Sequence, residues 1–194
     1  MRHTGTVELE TERLILRKFT REDAPKMFEN WASDPEVPRY MTWRVHKSVA
    51  ETEAYLDSIL AKYPENWYEW CIVWKATGEP IGSVGCNNLN EEYQALEIGW
   101  CLSRPYWGRG IMPEAARRVL RHLFETVGVN RVSSCHFLEN PKSGRVMQKI
   151  GMTCEGTLRQ TAKDNEGNLV DIKVYSILQE EWMRGKRTQT EGLK

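Results

Sequence analysis

The sequence predicts a mixed α/β fold in which helices cover both faces of a mostly antiparallel sheet of about six to seven strands. Two observations support this class. Short segments with an apolar residue at every second position, typical of strands, alternate with longer segments that have helical spacing. Their order is strand, two helices, three strands, helix, strand, helix and two strands, which places one sheet between helical layers.

The first half of the chain predicts three strands and two helices. The first helix covers about residues 23–31 and can be capped by Thr20, and the second opens with the capping box formed by Ser48 and Glu51. The strands are residues 13–19, 68–75 and 81–87, and the last two form a hairpin around residues 77–80.

The segment from Gln94 to Val127 organises the remainder. Residues 94–102 alternate as a fourth strand, and from Glu114 onward the apolar residues follow helical spacing, with Pro113 suited to the first helical turn. Between them lies the glycine-containing turn Trp107–Met112. Such a strand, turn and helix start directs free backbone N–H groups to one place, where the helix dipole favours an anion. The segment therefore predicts a phosphate-binding turn.

Two common phosphate-binding motifs do not match this turn. A P-loop requires Lys and then Ser or Thr after the second glycine, where Ile111 and Met112 stand. A dinucleotide fingerprint requires a third small residue at Pro113 and an acid about 20 residues beyond. Residues 129–131 are Val-Asn-Arg, and Glu139 comes too late, so this interpretation is only weakly supported.

The second half adds three strands and a short helix. Residues 132–138 form the fifth strand, and residues 140–151 form a helix that ends at Gly151. The last two strands, residues 153–161 and 169–178, flank the turn-rich linker 163–168. No internal repeat interrupts this order.

Length and composition indicate one domain without a general affinity for polyanions. The chain has 194 residues, with 27 Lys and Arg balanced by 27 Asp and Glu, so neither nucleic acid nor an acidic membrane is an expected partner. We expect a single domain over residues 11–183, a flexible N-terminal arm over 1–10 and a polar tail over 184–194. A homodimer is compatible with these features.

The cysteines and the absence of apolar export segments predict a cytoplasmic protein. No apolar run has the length of a membrane span, and the N-terminus lacks a signal-peptide core. The cysteines form no C-x-x-C pair and are odd in number, which is typical of reduced core thiols. They are Cys71, Cys86, Cys101, Cys135 and Cys154.

Two motifs resemble the GNAT superfamily of N-acetyltransferases. Tyr106-Trp107-Gly108-Arg109-Gly110, followed by Glu114-Ala115, is similar to the branch that acetylates ribosomal-protein N-termini. The stretch Asn140–Met152 resembles the second recurring motif of the family. Met112 departs from the usual Gly or Ala, and Pro113 removes one N–H donor. The resemblance covers about residues 12–182 and implies a three-layer fold whose sheet splays between the fourth and fifth strands.

The resemblance also implies acetyl-CoA as co-substrate, without a metal. The strand backbone at residues 100–102 would pair with the pantetheine arm, and the N–H groups of residues 107–112 would bind the diphosphate. An N–H near Ile98 or Gly99 would face the oxyanion. The predicted acetyl-CoA-binding residues are Trp100, Cys101, Leu102, Trp107, Gly108, Arg109, Gly110, Ile111, Met112, Asn140, Ser143 and Arg145.

Acetyl transfer to an amine requires a group that removes the ammonium proton, because an α-amine has a pKa of about 8. Glu97 is the first candidate, since it shares a strand face with small residues, although an ordinary cross-strand ion pair would also explain it. His136 is the second candidate base, although a lone histidine at the end of a strand is more often structural. Ser143 is the candidate proton donor to the leaving thiolate, with helix capping as the simpler explanation and Tyr175 as the alternative acid.

The sequence therefore predicts an N-acetyltransferase that acts on a protein N-terminal α-amine. A small-molecule acetyltransferase, acting on a polyamine or an antibiotic, is the alternative enzyme, and acidic pocket residues beyond Glu97 would favour it. A CoA-binding module without turnover is the alternative outside enzymes. The expected pocket walls are aromatic: Trp31, Tyr40, Trp43 and Trp67.

Overall fold

One eight-stranded sheet forms the centre of the fold. The computed structural model describes residues 1–191. The spatial order of the strands is β1-β2-β3-β4-β5-β6-β8-β7. The strands are β1 (Leu9–Glu10), β2 (Leu14–Arg17), β3 (Glu69–Trp74), β4 (Glu79–Asn90), β5 (Ala95–Leu102), β6 (Arg131–Phe137), β7 (Thr153–Lys163) and β8 (Leu169–Leu178).

Five helices connect and cover the strands. A π-helical turn, Phe28–Ala32, continues the first helix, and a second one, Leu123–Val127, continues the third. Pro113 lies in the first turn of the third helix, where its missing N–H costs nothing. The helices are α1 (Ala24–Met27), α2 (Val49–Leu60), α3 (Ile111–His122), α4 (Pro141–Lys149) and α5 (Gln179–Glu191).

Each face of the sheet has its own apolar core. One core packs α3 and α4 against residues such as Trp70, Val84 and Ile98. The other packs α1 and α2 against residues that include Cys71 and Val73. Because successive side chains of a strand point to opposite faces, each strand supplies residues to both cores. The predicted mixed α/β, three-layer fold with helices on both faces is confirmed.

The sheet opens between β5 and β6, its only parallel neighbours in the described chain. Their ladder joins Ala95–Glu97 to Arg131–Ser133 and goes no further, although β5 continues to Leu102 and β6 to Phe137. In the predicted numbering, these are the fourth and fifth strands. The predicted splay is therefore present, and it leaves a gap between two diverging strand edges.

The chain termini are more ordered than the sequence indicated. Residues 1–10, which we expected to form a flexible arm, include β1, and Arg2 N donates to Val127 O at 2.8 Å. Thr6 Oγ1 donates to Trp67 O at 2.8 Å, so side-chain hydrogen bonds hold a segment that has little apolar periodicity. The expected polar tail from residue 184 continues α5 to Glu191, and its last three residues lie outside the described part.

The described part of the chain, residues 1–191, contains neither a candidate membrane-spanning helix nor a disulfide. Within residues 1–191, no helix is long and apolar enough to cross a bilayer. All five cysteines of the chain lie in this range, and each is a free thiol.

Candidate active site

The open edge of β5 offers unpaired backbone groups to a ligand. Ser134 Oγ donates to the carbonyl of Ile98 at 2.8 Å, so the peptide groups of even-numbered β5 residues face β6. The ladder ends at the pair of Glu97 and Ser133, whose hydrogen bonds use the peptide groups on either side of Glu97, those of Leu96 and Ile98. The next N–H on this edge, and the first one beyond the ladder, is therefore that of Trp100. Gly99 faces β4 instead. The unpaired N–H nearest to the expected oxyanion donor is thus that of Trp100, not that of Ile98 or Gly99.

The predicted phosphate-binding turn follows directly. Trp107 Nε1 donates to the carbonyl of Leu102 at 2.6 Å, which fixes the turn to the end of β5. Gly108 and Gly110 have φ angles of 76° and 74°, and these left-handed conformations favour glycine. A Cβ at Gly108 would meet no atom within 4 Å, so the space above this peptide is open to a ligand.

The side chains around the turn divide into buried and exposed groups. Ile111 and Met112 are buried in the α3 core and can offer a ligand only their backbone N–H groups. Arg109 is exposed, with its guanidinium carbon 5.7 Å from the ring centre of Tyr106, and its charge is available near the turn. The N-terminus of α3 adds its dipole to this positive environment.

Arg13, the residue directly before β2, supports the turn through hydrogen bonds. Arg13 Nη1 donates to the carbonyl of Arg109 at 3.2 Å, and Arg13 Nε donates to Glu114 Oε2 at 2.7 Å. Thr11 Oγ1 donates to Glu114 Oε1 at 2.6 Å. Sequence reasoning missed this contact because about one hundred residues separate Arg13 from Glu114, and no local pattern marks it.

The N-terminus of α4 lies beside the same turn. Lys142 Nζ sits 5.0 Å from the ring centre of Trp107, so the two predicted motifs are brought together. Asn140 caps α4, with Oδ1 accepting from Ser143 N at 3.4 Å. Ser143 is half-buried, and its hydroxyl makes no hydrogen bond to another described residue. Arg145 is exposed on the same helix.

Glu97 lies on the face of β5 that it shares with Gly99 and Cys101, as the alternation predicts. Its carboxylate accepts from Asn88 Nδ2 at 3.2 Å, and Cys135 Sγ lies 3.6 Å from its other oxygen. Burial and the neighbouring Glu97 carboxylate raise the pKa of the Cys135 thiol to about 12, so this thiol stays protonated and donates. No Lys or Arg of the described chain pairs with Glu97, in contrast to the cross-strand ion pair considered above.

His136 lies on the opposite face of the sheet, beneath α4. Its Nδ1 donates to the carbonyl of Phe137 at 2.8 Å, and its buried Nε2 has no hydrogen-bond partner among residues 1–191. A Cβ added to Gly144 would lie 2.6 Å from this Nε2, so α4 packs directly on the ring. The structure therefore brings His136 near Ser143 but separates it from Glu97 by the sheet.

Two of the remaining predicted residues, Tyr175 and Trp31, are almost fully buried. Tyr175 is 4% exposed, pairs with Cys154 of β7, and has its ring centre 5.8 Å from that of His136. Trp31 is 1% exposed and belongs to the α1–α2 core. Of the other predicted aromatic walls, Tyr40, Trp43 and Trp67 are only partly buried.

Comparison with known proteins identifies the family of this chain. Residues 13–153 match the family model described as an acetyltransferase (GNAT) domain, and this range contains the turn, Glu97 and Ser143. The chain therefore belongs to the GNAT acetyltransferase family. It is an N-acetyltransferase by family, and the predicted resemblance and enzyme class are confirmed.

Individual GNAT relatives cover between half and nine-tenths of the chain. The uncharacterized N-acetyltransferase YoaA of Bacillus subtilis is 33% identical over 171 residues, which are 88% of this chain and 96% of YoaA. The ribosomal-protein-serine acetyltransferase of Escherichia coli is 28% identical over 99 residues, 50% of this chain and 54% of that protein. A solved GNAT acetyltransferase from Bacillus anthracis superposes with a TM-score of 0.79 at 27% identity, covering 90% of this chain and 99% of its own.

Proposed function

We propose that this GNAT protein transfers the acetyl group of acetyl-CoA directly to a primary amine, and that the acceptor is a protein N-terminal α-amine. The observation that carries the proposal is the gap between β5 and β6. Its edge presents the unpaired peptide of Trp100 directly before the turn at Gly108 and Gly110. An extended amide-rich arm and an anionic group, joined in one ligand, match this pair of features.

The chain's own residues offer groups suited to each part of acetyl-CoA. The open space above Gly108 and the N–H groups at the start of α3 would hold the diphosphate, with Arg109 adding positive charge. The β5 edge at Trp100 would hold the pantetheine amides. Asn140 and Arg145, on the helix whose start contacts the turn through Lys142 and Trp107, would add polar contacts to the ligand. Acetyl-CoA supplies an activated acetyl group as a thioester.

Glu97 is the proposed base. Its carboxylate has hydrogen-bond donors but no cationic partner in the described structure, so it can accept the ammonium proton of the acceptor, directly or through a water molecule. It lies three residues before Trp100, whose N–H would stabilise negative charge on the acetyl oxygen. His136 is less suited, because it lies on the other face of the sheet and its ring is covered by α4.

Ser143 is the proposed proton donor to the sulfur of CoA. Its hydroxyl is half-buried at the N-terminus of α4 and is not engaged by another residue of the described chain. The Lys142 contact with Trp107 places this helix start beside the turn that would hold the diphosphate. Tyr175, the alternative acid, is 4% exposed and is therefore less accessible to a ligand than the half-buried Ser143.

The choice of acceptor rests on a relative and on one residue of this chain. The similarity to a ribosomal-protein-serine acetyltransferase supports a protein α-amine. A small amine with several positive charges is the second candidate, because Glu69 places another acid on the sheet face of Glu97. Pairs of carboxylates favour ligands with more than one ammonium group. We further propose that the protein acts in the cytoplasm.

The test is an acetyl-CoA turnover assay against a panel of N-terminal peptides, polyamines and aminoglycosides. We expect turnover with peptides, and at least a hundredfold lower kcat for Glu97→Gln, because the ammonium proton then has no acceptor. Ser143→Ala should lower kcat by about tenfold or more with little change in CoA affinity. Exposed Glu92, on the turn before β5, provides the control variant Glu92→Gln.

Each outcome of this assay bears on one part of the proposal. Turnover with polyamines alone would replace the acceptor while leaving the chemistry intact. Unchanged kcat in both Glu97→Gln and Ser143→Ala would reject their roles. Binding of CoA by the wild-type protein without turnover of any amine would make the chain a CoA-binding module instead.

A further inference from the structure

A row of three paired residues, one on each of β3, β4 and β5, runs across the centre of the sheet. Glu69 of β3 pairs with Gly85 of β4, and Gly85 pairs with Gly99 of β5. All three face the α1–α2 side, the side of Glu97. Since neighbouring strands lie about 4.8 Å apart, two successive glycines leave a trough roughly 10 Å long that leads from β5 to Glu69.

The Glu69 carboxyl occupies the inner end of this trough. A Cβ at Gly85 would overlap Glu69 Oε2, so the carboxyl lies directly over the Gly85 backbone and points toward β5. A Cβ at Gly99 would meet no atom within 4 Å, and both Gly99 and Cys101 are partly exposed. The trough therefore opens at β5, beside the edge proposed to hold the acetyl group, and closes at a carboxyl that is 9% exposed.

The groups around Glu69 do not neutralise a negative charge. None of the ion pairs within residues 1–191 includes it, and the Ser83 hydroxyl on the same sheet face lies 3.5 Å from Cys101 Sγ. Burial raises the pKa of Glu69 to about 7, against smaller opposing effects of Ser83 and the more distant Lys62. The titratable groups close enough to interact with its charge are Tyr55 of α2, Lys62 and Tyr63 beyond that helix, Cys71 of β3 and Cys101 of β5, together with Cys86 of β4 on the opposite face of the sheet.

A purely structural role explains this arrangement poorly. A buried carboxylate without a cation is costly, and an apolar residue or an amide would serve packing better. The residue opposite is a glycine, and any side chain there would collide with the carboxyl. A cation that enters along the trough from Gly99 would supply the missing charge.

We infer that Glu69 is a further residue of the acceptor site, whose carboxylate binds an ammonium group of the acceptor amine above Gly85 and Gly99. This inference rests on the proposed function and deepens it by naming where the acceptor's positive charge is held. Glu97, two residues before Gly99 on the same face, would then remove the proton from the reacting amine. Because Glu69 would bind an ammonium group and Glu97 would remove a proton, we expect the two substitutions to change different kinetic constants.

The experiment compares Glu69→Gln with the exposed control Glu65→Gln in the full-length protein. The probes are acetyl-CoA with a serine-initiated peptide and with spermidine, at pH values from 6 to 9. For Glu69→Gln we expect at least a tenfold higher KM for the amine that the wild-type protein uses, with a smaller change in kcat. The fall of kcat/KM below about pH 7 that we expect for the wild-type protein should be absent from Glu69→Gln. Calorimetry should give the same Kd for CoA in both proteins.

The possible results separate the inference from the proposed function. Wild-type turnover together with an unchanged amine KM and an unchanged pH profile in Glu69→Gln would overturn the inference and leave the acetyltransferase proposal standing. A fall in kcat alone would also contradict it, because lost ammonium binding must appear in KM. If the wild-type protein binds CoA but neither binds nor acetylates either amine, both proposals fail together.

Discussion

Replacement of Glu69 by glutamine should stabilise the folded protein, and more so as the pH rises. Burial raises the pKa of Glu69 from an ordinary 4.5 to about 7. A folded-state pKa above the unfolded value contributes stability that is complete below about pH 4.5 and is lost as the pH rises to 7. At 1.36 kcal/mol for each unit of pKa, the loss amounts to about 3 kcal/mol at alkaline pH.

Glutamine has nearly the same shape and carries no charge, so this loss should be absent from the variant. Urea unfolding of both proteins at pH 5, 6, 7 and 8 gives the free energy of unfolding at each pH. The difference between Glu69→Gln and wild type should grow by about 2–3 kcal/mol between pH 5 and 8. Glu65→Gln is the control for loss of one surface charge. A pH-independent difference for Glu69→Gln would refute the reasoning.

Four further substitutions test the supports of the site. Arg13→Ala removes the contacts to Glu114 and to the turn, and should weaken CoA binding by about tenfold in calorimetry, with roughly 1 kcal/mol lost in urea unfolding. Trp107→Phe removes the 2.6 Å hydrogen bond to β5 and should also raise the Kd for CoA severalfold; an unchanged Kd would show that the turn needs no anchor. Gly144→Ala should cost about 1–3 kcal/mol because its Cβ meets His136, and His136→Ala should relieve most of that cost.

The sequence was most informative where a local pattern has one structural outcome. The alternation before Leu102, the glycines at 108 and 110 and the helical spacing after Pro113 act within a few residues of one another, and each forms as expected. The Asn140 cap likewise follows from neighbours along the chain. Such features are decided by backbone geometry and short-range hydrogen bonds.

Contacts between distant segments could not be predicted in this way. Arg13 reaches the turn, and Glu69 reaches the space above Gly85, only because strand order and register bring them there. The register between β5 and β6 also decides that the side chains of Glu97 and His136 lie on opposite faces of the sheet. Two strands predicted separately leave this relation open. No sequence pattern indicates the hydrogen bond from Thr6 to Trp67, so the attachment of the N-terminal segment could not be predicted.

The central claim is that the gap between β5 and β6, with the turn at Gly108 and Gly110, binds acetyl-CoA. Calorimetric titration of the wild-type protein with acetyl-CoA, and separately with NAD, tests it most directly. We expect one binding site per chain for acetyl-CoA, weakened in Arg13→Ala and Trp107→Phe, and no binding of NAD. Absence of binding at millimolar acetyl-CoA, or equal affinity in all three proteins, would contradict it.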